Sequence, residues 1–397
     1  MMKVLYSARP AFGHLFPLMP LASATRAAGH QVTFATGEGF VPWLGSLGFG
    51  ARPVGPSMRR AEQSTLEQFP ELCALPPHRR WRLTTAMFGE VLPRWVIAEM
   101  LPILETERPD LLVYESGDLG AAIAGAIHDV PVVCHAAWAL GWPSFMREDM
   151  APRLVGVWHQ HQPGQLPIDP FRGALYLDIC PTGLRDGAAP AGPGRTPLRP
   201  VPWGEPGGGL PAWVREPRTR PLAYLTMGTV PSGAGELLRA AVVGLSRLRL
   251  DVIVALGPHD RDVLGVLPDR VHVEQFLRQD LLLPHLDLAV HHGGSGTLMG
   301  ALAHGVPQLL LPQIADQIPN AHALARSGAG ITLPAKTASP ETISSAARRL
   351  LSEPGYRAAA ARLSAEIAAM PAPEQLVATL AGLVEQRNTQ ALRRDSG

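Results

Sequence analysis

The sequence predicts an α/β protein built from two doubly wound parallel sheets, and three observations carry that prediction. An apolar run at Lys3–Ala8 passes through a loop into a helix and returns as a second run at Gln31–Thr36. This is a βαβ unit, which implies parallel strands and a right-handed crossover. A second series of alternating strands and helices opens at Leu222–Met227. Between the two series lies Pro181–Pro217, crowded with proline and glycine and read as the interdomain connection. At 397 residues the chain is long for one domain, and two are expected. The reading places an N-terminal domain at 1–195, a linker at 196–220 and a C-terminal domain at 221–370. A final helix within 371–397 is expected to pack back toward the N-terminal domain and to end in a frayed tail.

The elements follow in order. Pro17 suits the first turn of a helix that carries Leu18, Leu21, Ala22 and Thr25, and Gly29 ends it. Residues 37–100 hold many prolines together with Trp81, Met87, Phe88 and Trp95, and predict short helices and loops. Asp110–Glu115 reads as a strand, Leu119–His128 as a helix and Val130–His135 as another strand. Trp138, Trp142, Phe145 and Met146 cluster in a loop region after it. In the second half Asp251–Leu256 and Val271–Glu274 are strands, and Glu236–Leu248, Ser339–Ser352, Ala358–Met370 and Glu374–Asn388 are helices.

Composition narrows the function. Hydrophobic residues make up 46% and charged residues 17%, enough for a large core and too apolar for a disordered chain. The formal net charge of +1 gives no reason to expect nucleic acid or an acidic membrane as partner. No apolar run reaches the ~18 residues of a membrane span, and no secretory leader is expected at the N-terminus. Cys73, Cys134 and Cys180 form no metal spacing and fit a reducing, cytoplasmic setting.

One stretch organises the rest. Residues 286–317 read as strand (Leu286–Val290), glycine-rich loop, helix, Gly305 turn, strand (Gln308–Leu311) and an Asp-Gln pair. A strand that feeds glycines into a helix N-terminus presents unpaired N–H groups and the positive end of the helix dipole, which together suit a diphosphate. His291 and His292 at the strand's end add donors.

Taken together, the parts resemble the GT-B-fold glycosyltransferases of the bacterial natural-product type, family 1. The resemblance runs through Gly13–Ala22 (GHLFPLMPLA), Pro109–Glu115 (PDLLVYE), Leu198–Trp203 (LRPVPW), Leu225–Thr229 (LTMGT), HHGGSGT, GVPQLLLPQIADQ and Gly328–Leu333 (GAGITL), in the family's order. It implies two Rossmann-like domains facing a cleft, the first binding acceptor and the second the nucleotide sugar. It implies inverting transfer from a dTDP- or UDP-sugar to an acceptor hydroxyl, with no cofactor and no required metal. His14 would be the general base, a role suited to an imidazole. In the family an aspartate follows the PDLVV-like strand and orients that base. Here Glu115 holds the place with a longer reach, and Asp118, three residues on, is the alternative. His291 would face the phosphates, with Gly293, Gly294, Ser295, Gly296 and Thr297 offering backbone donors. His292 either joins them or points into the domain. Gly228 and Thr229 would contact the nucleotide or its phosphates. Asp316 and Gln317 would hold the sugar's hydroxyls, and Asp316 could also cap the next helix. Phe276 would stack on the base and Leu277 offer backbone contacts.

Trp81, Met87, Phe88, Trp138 and Trp142 suit a large apolar aglycone, and they suit domain core equally. An Ala/Gly/Pro/Arg-rich composition favours antibiotic biosynthesis. Small molecules are the expected partners, with a homodimer open. Asp260-Arg261-Asp262 spells a metal-binding pattern of a different transferase fold, and reads here as a surface loop. Two other functions fit the same fold: an inactive relative that activates a partner, and a nucleotide-sugar epimerase. Retention of His14 with HHGGSGT and Asp316-Gln317 argues against the first. The apolar N-domain loops fit a two-substrate transferase better than the second.

Overall fold

The computed structural model describes residues 1–185, 194–228 and 234–395. Among them, the chain divides into two compact units. The first comprises Met1–Ile179, Ala191–Leu198 and Pro371–Gly397, the second Cys180–Pro190 and Arg199–Met370.

The first unit is built on β1 (Lys3–Ser7), β2 (Gln31–Thr36), β3 (Gly50–Pro53), β4 (Leu111–Glu115), β5 (Val132–His135), β6 (Leu175–Asp178) and β7 (Arg195–Pro197). They lie in the order β3-β2-β1-β4-β5-β6-β7, and every pairing is parallel. The chain winds outward from β1 to β3, then returns to β1's other side and winds out to β7. The direction therefore reverses between β1 and β4, where Ser7 pairs with Tyr114. Such a reversal opens a crevice at the carboxyl ends of the strands, the usual ligand position in an open α/β sheet. β4 reads LLVYE and is buried at every position, as a strand covered on both faces must be.

The second unit repeats the plan with β8 (Leu222–Thr226), β9 (Asp251–Ala255), β10 (Val271–Glu274), β11 (Leu288–His291), β12 (Gln308–Leu310) and β13 (Gly330–Thr332). Their order is β10-β9-β8-β11-β12-β13, again parallel, with the reversal between β8 and β11. Alternation along β8 divides the core. Ala223 and Leu225 join Leu238, Val242 and Ile343 on one face, and Leu222 and Tyr224 join Leu282 and Leu283 on the other.

The two doubly wound sheets agree with the expected fold class, and several elements correct the expectation. Residues 37–100 contain β3 and the start of a sixteen-residue helix, Leu92–Glu107, which continues past them with Pro102 inside it. The aromatic segment expected as loop contains the helix Ser144–Trp158, which also holds a proline, Pro152. Proline density had suggested breaks, but Pro93 occupies a first-turn position where its missing N–H costs nothing. Strand β7 falls inside the proline-rich stretch Pro181–Pro217 expected to connect the domains. The last helix, Pro373–Asp395, belongs to the first unit, where it packs on the helix Met19–Ala27. It buries Leu376, Val377, Leu380 and Val384, a single face at helical spacing. No single helix among the described residues is long and apolar enough to cross a membrane.

Candidate active site

The first candidate centre forms at the strand reversal of the first unit. His14 lies on the short helix Phe12–Leu15 that follows β1, and Glu115 is the last residue of β4, β1's neighbour. The His14 Nδ1 and Glu115 Oε1 are 2.8 Å apart. The carboxylate is fully buried, while the imidazole keeps 14% of its surface. Glu115 Oε2 accepts the Gly117 N–H at 2.5 Å, and Oε1 also accepts the Arg9 N–H at 3.4 Å. Burial pushes this carboxyl up. The His14 ring, the Gly117 amide and the Arg9 cation outweigh that and hold it below its ordinary value. The arrangement fixes one ring nitrogen on a carboxylate and leaves proton transfer to the other, which is the geometry of a general base with an orienting acid.

Asp118, the alternative partner for His14, is engaged elsewhere. Its Oδ2 accepts the Ser7 hydroxyl at 2.6 Å, and its Oδ1 lies 3.0 Å from Arg9 Nη2. Burial raises its carboxyl above the ordinary value, Arg9 and Ser7 oppose the rise, and the Glu115 charge adds to it. The longer reach of glutamate thus brings Glu115 to the ring, and Asp118 sits behind it.

Aromatic side chains adjoin His14. Trp138, from the loop after β5, meets the His14 ring edge-on at 5.6 Å between centroids. Trp142 meets Trp138 at 4.5 Å, and Phe88 meets Trp142 at 5.2 Å. The Trp142 indole N–H donates to the Ser116 carbonyl at 2.8 Å, tying this loop to the end of β4. A Cβ on Gly117 would stand 3.1 Å from both Trp138 and the Glu115 oxygens, so a larger residue would crowd the pair. Phe88 lies in a π-helical turn, Met87–Val91, a local irregularity often found at sites. Met87 is half-buried in the same turn. Trp81 stands apart, packed on Phe145 at 5.2 Å.

The second candidate centre forms at the other reversal. The helix Ser295–Ala303 starts at Gly294, which has no side chain to cap it. Asp316 Oδ2 accepts the Ser295 N–H at 3.3 Å, and the amides of Gly296 and Thr297 follow in the first turn, where an anion is favoured. Gly296 and Thr297 are outermost there, and Gly293 and Ser295 are buried. The His292 ring lies between two glycines: a Cβ on Gly228 would stand 2.7 Å from its Cε1, and one on Gly294 would strike its Nε2. Gly228 has φ +85°, a left-handed conformation that also favours glycine at this close approach. Burial lowers the His292 pKa, opposed by the Asp316 charge and a backbone bond to Thr226. Its Nδ1 is buried with no hydrogen-bond partner among the described residues.

His291 corrects an expectation. It was expected to face the phosphates, but it is the last residue of β11 and fully buried. Its Nε2 is 2.7 Å from Gln308 Oε1, and its Nδ1 accepts the Gly293 N–H at 3.1 Å. Burial, with help from His292, pushes its pKa down to about 3 against the Gln308 bond. Both nitrogens are committed to shaping the loop. Asp316 likewise braces the loop: its Oδ2 accepts Ser295 Oγ at 2.8 Å and Asn320 Nδ2 at 3.1 Å. Gln317 Oε1 accepts the Gln313 and Ile314 N–H groups. Asn320, fully buried, also donates to the Gly293 carbonyl at 3.0 Å. Sequence reading missed Asn320 and Gln308, and the four-residue spacing from Asp316 to Asn320 on one helix was the available signal. Phe276 is 65% exposed beside half-buried Leu277. Arg278 and Asp280 pair at 2.6 Å and 2.8 Å and fix the following turn. Thr229 lies outside the described residues. Asp260 caps the short helix Arg261–Leu264 through the Asp262 N–H, a local structural role.

Comparison with known proteins places this geometry. Residues 239–383 match the family model described as erythromycin biosynthesis protein CIII-like, C-terminal domain. The L-demethylnoviosyl transferase of Streptomyces niveus is 33% identical over 397 residues, covering 98% of this chain and 99% of its own. The TDP-daunosamine transferase DnrS of Streptomyces peucetius is 30% identical, with 98% and 99% covered. Among solved structures, spinosyn rhamnosyltransferase SpnG superposes with a TM-score of 0.82 at 29% identity, covering 96% of this chain and 100% of that one. SpnG has also been solved complexed with thymidine diphosphate and with spinosyn aglycone. The chain belongs to the GT-B glycosyltransferases of the bacterial natural-product type, as its motifs implied.

Proposed function

We propose that this enzyme moves a sugar, a deoxysugar by preference, from a dTDP- or UDP-sugar to a hydroxyl of an apolar natural-product aglycone, with inversion and without a metal ion. The observation that carries the reading is the 2.8 Å contact between His14 and the buried Glu115. His14 Nε2 takes the acceptor's proton as the acceptor oxygen bonds to the anomeric carbon. The bond from that carbon to the diphosphate breaks, and the nucleoside diphosphate leaves with the electron pair. A single displacement inverts the centre. Glu115 holds the ring and offsets the imidazolium charge as it forms. The leaving charge falls on the first-turn amides of Gly296 and Thr297 and on His292, whose unpartnered Nδ1 suits a phosphate oxygen. Asp316 and Gln317 reach the sugar hydroxyls with the atoms that do not brace the loop. Phe276 stacks on the base, Leu277 offers it backbone contacts, and Gly228 contacts the nucleotide or its phosphates. Trp138, Trp142 and Phe88 receive the aglycone, with Met87 and Trp81 further out. The relatives' names support a deoxysugar donor and an antibiotic acceptor, and the thymidine diphosphate complex of SpnG favours dTDP over UDP.

His14→Ala should abolish transfer and leave thymidine diphosphate affinity within about twofold. Release of nucleotide diphosphate from a dTDP-sugar, followed with a panel of aglycones, reads the first, and calorimetry the second. Undiminished turnover in the variant would remove His14 from the mechanism. Activity that vanishes in chelator and returns with magnesium would overturn the metal-free reading.

A further inference from the structure

One charged side chain beside the His14–Glu115 pair has no part in the reaction just described. Arg9, two residues past the end of β1, is fully buried. Its Nη2 lies 3.0 Å from Asp118 Oδ1, and its guanidinium nitrogens make no well-aligned hydrogen bond among the described residues. The pocket is shaped to it: at Gly55, whose φ is +78°, a Cβ would stand 2.8 Å from Arg9 Nη1. Burying a guanidinium with so few partners is costly, and what it supplies in return is charge. Asp118 is equally enclosed, held on its other oxygen by Ser7. The Arg9 backbone N–H reaches Glu115 Oε1, so the same residue touches both carboxylates. The ionisable groups around Glu115 are His14 and Arg9 from the segment after β1, Asp118 after β4, and Cys134 and His135 at the end of β5. Cys134 and His135 are buried and uncharged at neutral pH, which leaves Arg9 and Asp118 as the basic and acidic side chains beside the Glu115 that holds the ring.

We propose that the Arg9–Asp118 pair is a buried counter-charge that sets the proton affinity of His14 through Glu115. Arg9 and Asp118 are positioning residues: neither touches substrate, and together they fix how much negative charge the imidazole feels. Removing the anion alone leaves Arg9 to oppose protonation of His14. Removing the cation alone leaves two carboxylates to favour it. Removing both restores the balance.

The test reads His14 directly, because the proposal rests on the general-base reading only for its kinetic consequence. The imidazole signals of the 14 histidines are titrated by NMR, and the His14 signal is identified by its absence in His14→Gln. Asp118→Asn should lower the His14 midpoint by about half a pH unit or more, and Arg9→Met should raise it by a similar amount. The double variant should return to within about 0.3 unit of the wild type. Equal midpoints in all four proteins, or shifts of one sign in both single variants, would overturn the proposal. If Arg9→Met does not fold, the Asp118→Asn protein still decides, since an unmoved His14 midpoint there is sufficient to reject the idea. The acid limb of kcat/KM should move with the NMR midpoints. Midpoints that shift as expected while the limb stays fixed would keep the counter-charge and reject His14 as the base.

Discussion

His291 and His292 are adjacent and differ in what each could offer a ligand. His291 ends β11 with both nitrogens bound inside the unit, whereas His292 begins the loop with an unpartnered Nδ1. Replacing each therefore has a different consequence. His292→Ala should weaken thymidine diphosphate binding by roughly tenfold to a hundredfold, the value of a hydrogen bond to a charged group. His291→Ala should instead lower stability by about 1–3 kcal/mol, because Gln308 and the Gly293 N–H lose their partner. Calorimetry and thermal denaturation separate the two, and unchanged affinity in His292→Ala would reject its phosphate role. The sequence allowed both assignments. The apolar run Leu286–Val290 suggests a strand that stops one residue early, which moves His291 from the sheet into the loop. Because the sheet is covered on both faces, alternation gives no signal to correct that register. Glu115 was legible because it ends an apolar strand, and His14 because it stands in the GHLFPLMPLA stretch that carries the resemblance. Arg9 was not, since an arginine in a loop normally reads as solvated.

At the scale of elements, the strands easiest to read are the central ones, and the candidate centres are built on these. β1, β4, β8 and β11 flank the two reversals and are continuous apolar runs. The strands that escaped, β3, β6, β7 and β13, have three or four residues and lie outside that centre, where pairing rather than hydrophobic pattern defines them. Glycine spacing carries information about helix packing as well. The helix Leu119–Ile127 lies against Leu92–Glu107 so closely that a Cβ on Gly120 would stand 2.7 Å from the Pro93 Cα. Gly120→Ala should therefore destabilise the first unit by about 1–3 kcal/mol, although alanine is the better helix former. Denaturant titration reads this, and a stability equal to or above the wild type would show that the helices can separate at little cost.

For the whole molecule, acid is the sensitive direction. Burial lowers His135 to about 4 and His291 to about 3, from an ordinary 6.5. Below about pH 6.5 the unfolded chain binds protons at these two sites that the folded chain refuses. Stability must then rise with pH across that window, by about 1.4 kcal/mol per unit for each histidine. The melting temperature should fall steadily from pH 7 to pH 5, and His135→Phe should flatten the slope. A melting temperature constant over that range would contradict both buried assignments.

The return of Pro373–Asp395 to the first unit also sets an order of events during synthesis. The helix Met19–Ala27 leaves the ribosome early, but the helix that covers it is made only after the whole second unit. At typical elongation rates that wait is on the order of half a minute. Throughout it, the side of the early helix that receives Pro373–Asp395 faces solvent or a chaperone. A released chain ending at residue 370 should accordingly be open to protease in its first unit while its second unit is closed.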